Sequence, residues 1–318
     1  MMRGRYAPSP TGQLHLGNAR TALLAWLQVR SQGGALVLRL EDLDRQRSSA
    51  AAAAALLADL RWLGLDWDEG PDLGGPFASY TQSERLSLYN EALDRLRAEG
   101  RLYRCYCTRA ELAHLTAAPH AGEEGPVYPG TCRRRAEAEQ PARAHAWRFR
   151  VPPGETICFD DLLAGRVCQI VADAVGDFVV QRADGALAYQ LAVVVDDAAM
   201  GMTDVLRGAD LISSTPRQLL LYRVLGLTPP RFAHVPLLYG PDGARLSKRH
   251  GAVSIASLRE AGIAREALTG YLAWLSGLVP HGTAVSPREL VASFNLDRVA
   301  REGGVVDPAR LVDDLRSW

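Results

Sequence analysis

The chain has 318 residues, 47% of them hydrophobic and 23% charged, and its 36 basic side chains are balanced by 36 acidic ones. Those values exclude a disordered, collagen-like or coiled-coil chain and leave a globular protein of one large domain or two smaller ones. With zero net charge, nucleic acid could be held only by a local basic patch. No run approaches the roughly 18 apolar residues of a membrane span. Met1 to Pro10 lacks the apolar core of a signal peptide. Five cysteines are too few for a disulfide scaffold in a chain this long. A reducing, cytoplasmic setting is therefore expected. A monomer is the default expectation.

In chain order, Arg3 to Ala7 reads as a short strand, broken by Pro8-Ser9-Pro10-Thr11-Gly12. A helical pattern follows from about His15 to Gln32, with Leu16, Ala19, Leu23 and Leu27 on one side and Gly33-Gly34 to stop it. Ala35 to Leu40 is nearly all apolar, as in a strand buried on both faces, and an acidic tail, Glu41 to Asp44, marks its end. Helices are expected at about Ser49–Leu63 and Gln82–Glu99. This alternation argues a parallel, doubly wound α/β sheet. From Arg101 to about Gln140 the pattern dissolves. Ala146 to Val151 alternates like an exposed strand, and Cys158 to Arg182 reads as short β elements. Leu187 to Val195 reads as another buried strand, ending in Asp196-Asp197. A helix at about Ser214–Leu225 and a strand near His234–Leu238 resume the alternation. Residues after about Ala252 look helical, most clearly Ala264 to Gly277. The simplest organisation is a sheet built from 1–100 and 181–251, interrupted by an insertion over 101–180 and followed by a helical subdomain over 252–318.

Two clusters suit a nucleotide. Tyr6 to Asn18 runs from strand through tight loop to helix N-terminus, where free backbone N–H groups and the helix dipole favour an anion. Gly12 and Gly17 allow close approach, and His15 can donate to a phosphate; on spacing alone a plain proline-stiffened turn fits as well. The second cluster, Gly243 to Gly251, is a glycine-bracketed cationic loop suited to clamp a polyphosphate. At its centre stands Lys248, the single lysine among 36 basic residues. A chain that uses arginine elsewhere keeps an ammonium where a compact charge on a flexible stem is needed. A third cluster, Cys105-Tyr106-Cys107 with Cys132, suggests a structural zinc site that lacks a fourth ligand. Nearby candidates are His114, His120 and Tyr128, of which ordinary zinc chemistry favours a histidine. Cys158 and Cys168 sit in apolar, strand-like runs and read as core.

Together, His15-Leu16-Gly17-Asn18 and Leu246-Ser247-Lys248-Arg249-His250 resemble the two signatures of class I aminoacyl-tRNA synthetases. Arg5 to Gly12, Arg39 to Asp44, Asp184-Gly185 through Tyr189 to Asp197, and Arg207 to Asp210 sharpen that resemblance to the glutamyl-tRNA synthetases, over about residues 3 to 251. The short stretch after the lysine loop and the cysteine pattern depart from them. Both features are similar to a shorter family of the class, the glutamyl-queuosine tRNA(Asp) synthetases, which have no separate anticodon-binding domain. Tyr128-Pro129-Gly130-Thr131-Cys132 matches that family's Tyr-x-x-x-Cys and so points to Tyr128 as the fourth zinc ligand.

The resemblance implies a class I, Rossmann-like sheet. It also implies activation of L-glutamate with ATP and Mg²⁺, then transfer to queuosine in the anticodon of tRNA(Asp). On that footing His15, Gly17, Asn18 and Lys248 would bind ATP, His15 and Lys248 supporting the chemistry. Arg5 and Arg207 are candidates for the substrate's side-chain carboxylate, because guanidinium matches carboxylate geometry. Glu41, at the carboxyl end of a buried strand, is the candidate for its ammonium. Ser9 lies in the same loop, and Tyr189 is a further glutamate contact by resemblance. Asp196 and Asp197 lie at an equivalent edge, with roles the sequence does not separate.

Overall fold

A computed structural model describes residues 1–108, 111, 127–135, 143–246 and 253–318. The first half runs β1 (Arg3–Tyr6), α1 (Leu16–Arg30), β2 (Ala35–Leu38), α2 (Ala50–Trp62), α3 (Leu86–Ala98) and β3 (Leu102–Cys105). Then come β4 (Ala146–Phe149), β5 (Thr156–Asp161), β6 (Gly165–Ile170), the single turn α4 (Val171–Ala174) and β7 (Val179–Gln181). The chain continues through α5 (Tyr189–Ala199), β8 (Asp204–Gly208), α6 (Thr215–Val224) and β9 (Arg231–Val235). Helices α7 (Ile255–Glu260), α8 (Arg265–Trp274), α9 (Pro287–Val291) and α10 (Leu311–Arg316) follow.

Four strands form a parallel sheet in the order β2-β1-β8-β9. Its residues are almost wholly buried, as parallel strands covered on both faces must be. The chain leaves β1 toward β2 on one side and reaches β8 and β9 on the other. The strand order therefore reverses between β1 and β8, where the carboxyl ends open a crevice. Helix α1 packs hard against β1: a Cβ on Gly4 would stand 2.5 Å from Val29 Cγ2. The helix starts at His15, whose backbone is extended, and ends before Gly33, at φ +59°. Ser49 caps α2 by accepting from the Ala52 N–H.

Two further sheets lie in the middle of the chain: β3-β4-β7, antiparallel, and the β5-β6 hairpin. One apolar core joins α1, β2 and α2 to the helices after residue 255, through Leu23, Trp26, Leu38, Leu60, Leu268 and Leu315 among others. A second joins α3, α5 and α6 to the β3-β4-β7 sheet, through Leu96, Phe149, Val180, Val194 and Leu221. No helix among the described residues is long and apolar enough to cross a membrane.

Four local expectations are corrected. Leu187–Val195 is not a strand: its residues from Tyr189 onward form α5, buried on every side from Leu191 to Asp197. An apolar run that is enclosed all round carries no period to separate helix from strand. Ala146–Val151 is not an exposed strand, since β4 is the middle strand of its sheet and Phe149 is fully buried; alternation reports one covered face and nothing about flanking strands. The strand expected at His234–Leu238 is β9, Arg231–Val235, and Pro236, without an N–H, follows its end. Cys158 and Cys168 are exposed rather than core, and they pair as a disulfide across the hairpin.

Candidate active site

A cavity of about 510 Å³ opens at the carboxyl ends of β1 and β8, the point where the strand order reverses. Arg5, Ser9, His15, Gly17, Asn18, Glu41, Tyr189 and Arg207 all line it. Every anticipated ATP or glutamate residue within the described chain thus meets in one place. Lys248 and the cationic loop around it lie outside the described residues, as do His114 and His120. The described residues that flank the loop, Leu246 and Val253, line the same cavity, and Ser254 bridges back to His15.

The nucleotide side is the start of α1. His15 is its N-cap, so the first-turn N–H groups of Gly17 and Asn18 carry the positive end of the helix dipole. A Cβ placed on Gly17 would meet nothing within 4 Å, so a ligand can approach the backbone there.

The other side of the cavity is a lattice of buried charges. Arg39, fully buried on the edge strand's continuation, donates to Asp197 at 2.7 Å and to Glu41 at 3.0 Å. Arg5 reaches the same Asp197 oxygen at 3.4 Å. Burial would lift the Asp197 carboxyl, but Arg39 and Arg5 outweigh it and hold it below its ordinary range. Glu41 goes the other way: burial pushes its carboxyl up, against Arg39 and Arg5. A buried carboxylate that lines the cavity is a fitting partner for an ammonium. Asp196 is separated from Asp197 by its surroundings. It is sealed from solvent and accepts from Gln82 at 2.8 Å, Arg85 at 2.7 Å and Tyr89 at 2.7 Å. It ties α5 to α3 and to the turn before it, whereas Asp197 faces the arginines of the site.

Arg207, near the end of β8, is held by neutral groups. Its Nε donates to His234 Nε2 at 3.0 Å, and its Nη2 donates to Thr215 at 2.8 Å and to Gln218 at 2.7 Å. Among the described residues no carboxylate lies within ion-pair distance of it, and its buried Nη1 has no hydrogen-bond partner. The geometry leaves one guanidinium edge for an anion. Arg39, Asp161, Thr215, Gln218 and His234 were not anticipated. The signal present for two of them was a charged or titratable residue in an apolar run, Arg39 directly after β2 and His234 within β9; their partners are distant in sequence.

The cysteine cluster lies elsewhere, at the end of β3. The Sγ atoms of Cys105, Cys107 and Cys132 all lie within 4.8 Å of one another, and Cys107 and Cys132 are 3.7 Å apart. Tetrahedral zinc with bonds of about 2.3 Å separates its sulfur ligands by about 3.8 Å, so the thiols are spaced for one ion. Tyr128 Oη stands 3.4 Å from Cys105 Sγ and 3.8 Å from Cys107 Sγ. The donor set therefore fits a metal, with the phenol oxygen beside it.

Residues 1–312 match the family model described as "tRNA synthetases class I (E and Q), catalytic domain". The chain is 59% identical to "Glutamyl-Q tRNA(Asp) synthetase" of Symbiobacterium thermophilum, covering 95% of each sequence. It is 49% identical to the protein of the same name from Nitratidesulfovibrio vulgaris, covering 99% of this chain and 98% of the relative. Among solved structures, the glutamate tRNA ligase of Elizabethkingia meningosepticum in complex with its amino acid superposes with a TM-score of 0.84 at 30% identity. That match covers 98% of this chain and 68% of the other. A cavity at the sheet's switch point, beside a helix N-terminus and two buried arginines, is thus accompanied by a family match over nearly the whole sequence, and the chain belongs to the class I tRNA synthetases of the E and Q family.

Proposed function

We propose that the chain activates L-glutamate with ATP and transfers the glutamyl group to queuosine in the anticodon of tRNA(Asp). The observation that carries this reading is the near-complete mutual coverage with relatives named for that reaction, joined to a cavity with one unsatisfied guanidinium edge. In the first step an α-carboxylate oxygen of glutamate attacks the α-phosphorus of ATP, and the bond to pyrophosphate breaks. In the second a hydroxyl of the queuosine cyclopentenediol attacks the glutamyl carbonyl, and AMP leaves.

Neither step needs a covalent nucleophile from the protein; positioning and charge stabilisation suffice. Arg207 and Arg5 bind the side-chain carboxylate, Glu41 binds the ammonium, and Tyr189 and Ser9 close the pocket. His15 and the first-turn N–H groups of Gly17 and Asn18 hold phosphate oxygens, and Lys248 stabilises the departing pyrophosphate. Mg²⁺ accompanies ATP and neutralises part of its charge. Cys105, Cys107, Tyr128 and Cys132 hold a structural zinc ion.

Labelled glutamate offered with queuosine-containing tRNA(Asp), unmodified tRNA(Asp) and tRNA(Glu) tests the reading. Label should enter only the first, and glutamate-dependent ATP–pyrophosphate exchange should proceed without tRNA. Label in tRNA(Glu) alone would instead identify a conventional glutamate–tRNA ligase.

A further inference from the structure

Arg207 needs help to point correctly. A guanidinium surrounded by neutral acceptors can turn any of its five N–H groups toward a ligand, and only the arrangement of those acceptors decides which edge stays open. Two of them, Thr215 and Gln218, take Nη2. Gln218 is itself fixed, because its Nε2 donates to Gln190 Oε1 at 2.7 Å. The third, His234, takes Nε at 3.0 Å, and it can accept only if its Nε2 carries no proton.

The proton's position is set from the opposite end of the ring. His234 Nδ1 stands 2.6 Å from Asp161 Oδ2, and both side chains are completely buried. The other oxygen of Asp161 is committed: it accepts the backbone N–H groups of Leu163 at 3.0 Å, Ala164 at 2.8 Å and His234 at 3.1 Å. Oδ2 is therefore left to accept from the ring, which places the imidazole proton on Nδ1 and the lone pair of Nε2 toward Arg207. Also against the ring are the Thr215 hydroxyl, 3.2 Å from Nε2, the stacked ring of Phe232 and the ring of Phe159 in a T-shaped contact. Burial favours the neutral imidazole and outweighs Asp161's pull toward the charged form.

We propose that His234, locked in one tautomer by Asp161, is a positioning residue that aims Arg207 at the side-chain carboxylate of the amino-acid substrate. This rests on the reading of Arg207 as the carboxylate ligand. It extends the site by two residues from outside the cavity's polar wall, one of them carried at the end of β5 in the disulfide-closed hairpin.

Asp161→Asn tests it with almost no change of shape. The three backbone N–H groups keep the amide oxygen where Oδ1 was, so the amide nitrogen replaces Oδ2 and donates to Nδ1. The ring proton moves to Nε2, and two donors then face each other across 3.0 Å. In ¹⁵N spectra of histidine-labelled protein, the His234 signals of the wild type should report a proton on Nδ1, and those of Asp161→Asn a proton on Nε2. In pyrophosphate exchange the variant's glutamate KM should rise by roughly tenfold or more, the loss expected for one charge-assisted hydrogen bond, while the KM for ATP stays within about twofold. His234→Gln, which keeps an acceptor within reach of Arg207, should retain a lower glutamate KM than His234→Leu. A wild-type ring protonated on Nε2 overturns the proposal whether or not the variants fold. So does an inverted tautomer with an unchanged glutamate KM, or an equal rise in both KM values. Failure of the functional reading looks different: the wild type would then show the expected tautomer and no glutamate-dependent exchange.

Discussion

Two buried polar clusters in this molecule are held together in opposite ways. At the carboxyl edge of the parallel sheet, positive and negative groups are interleaved: Arg39 sits between Asp197, Glu41 and Asp196, with Arg5 beside Asp197. That lattice is held by the protein's own ion pairs before any ligand arrives; among the described residues the buried Nε of Arg39 and, beside the lattice, the Nη1 of Arg207 lack hydrogen-bond partners. At the end of β3, by contrast, the thiols of Cys105, Cys107 and Cys132 stand beside the Tyr128 phenol without an ion pair among them, and the nearby cation, Arg148, lies over the Tyr128 ring, 3.7 Å from its centroid. The first site is preorganised by the protein's own ion pairs. The second has donors spaced for one metal ion, and among the described residues Tyr103, Tyr106 and Ala146 pack against it. Ligand loss should therefore be felt as lost activity in the first and as lost structure in the second.

The largest effect is expected at Arg207. If Arg207 binds the substrate's side-chain carboxylate as proposed, Arg207→Ala would leave that carboxylate buried without its partner, and glutamate-dependent pyrophosphate exchange should fall by about 10²-fold or more in kcat/KM, with the KM for ATP nearly unchanged. Equal losses for both substrates would dissolve the division of the cavity into two halves. Next comes Lys248→Arg, which copies the chain's own preference for arginine. A bulkier, planar head misplaces charge over the leaving group, and exchange should slow by roughly tenfold or more with little change in melting temperature. Full activity would remove the lysine loop from the first site.

The remaining predictions concern the second cluster. Cys107→Ser should lower metal content and melting temperature together, the latter by several degrees, since a structural metal's binding energy contributes to folding. A chelator should shift the wild type to the same temperature and leave the variant unmoved. A metal-free wild type whose melting temperature equals that of Cys107→Ser would make the cluster self-sufficient and end the contrast. The smallest effect is expected for Tyr128→Phe, which should speed metal loss without abolishing binding. Replacing His114 and His120 should leave the metal in place; the reverse result would name a histidine as fourth ligand.

What could be read from the chain alone follows the same division between local and distant. The βα start of the site was legible because strand, loop, His15 and helix are contiguous, and both faces of β2 announce themselves as an apolar run. The cysteine set was legible because spacing alone brings Cys105 and Cys107 together. Helix α5 was not, because an element enclosed on all sides loses its period. Nor were Asp161 and His234, 73 residues apart, whose meeting depends on the hairpin folding back along β9. The exposed cross-hairpin disulfide was hidden for a related reason: Cys158 and Cys168 face each other only in the register of β5 and β6.

The reversal of strand order between β1 and β8 also has a price in time. Gly4 pairs with Asp204, so the central seam of the sheet joins residues made 200 positions apart in synthesis. At about 5–20 residues per second, a ribosome releases β1 roughly ten seconds or more before β8 exists to receive it. Arg5, His15 and Glu41 wait through that interval without Arg207, and α1 waits longer still for Leu268 and Leu315, which complete its core. The amino-terminal half is thus committed to a prolonged stage with an open strand edge and an uncovered apolar helix face. In that state the cavity at the carboxyl ends of β1 and β8 does not yet exist.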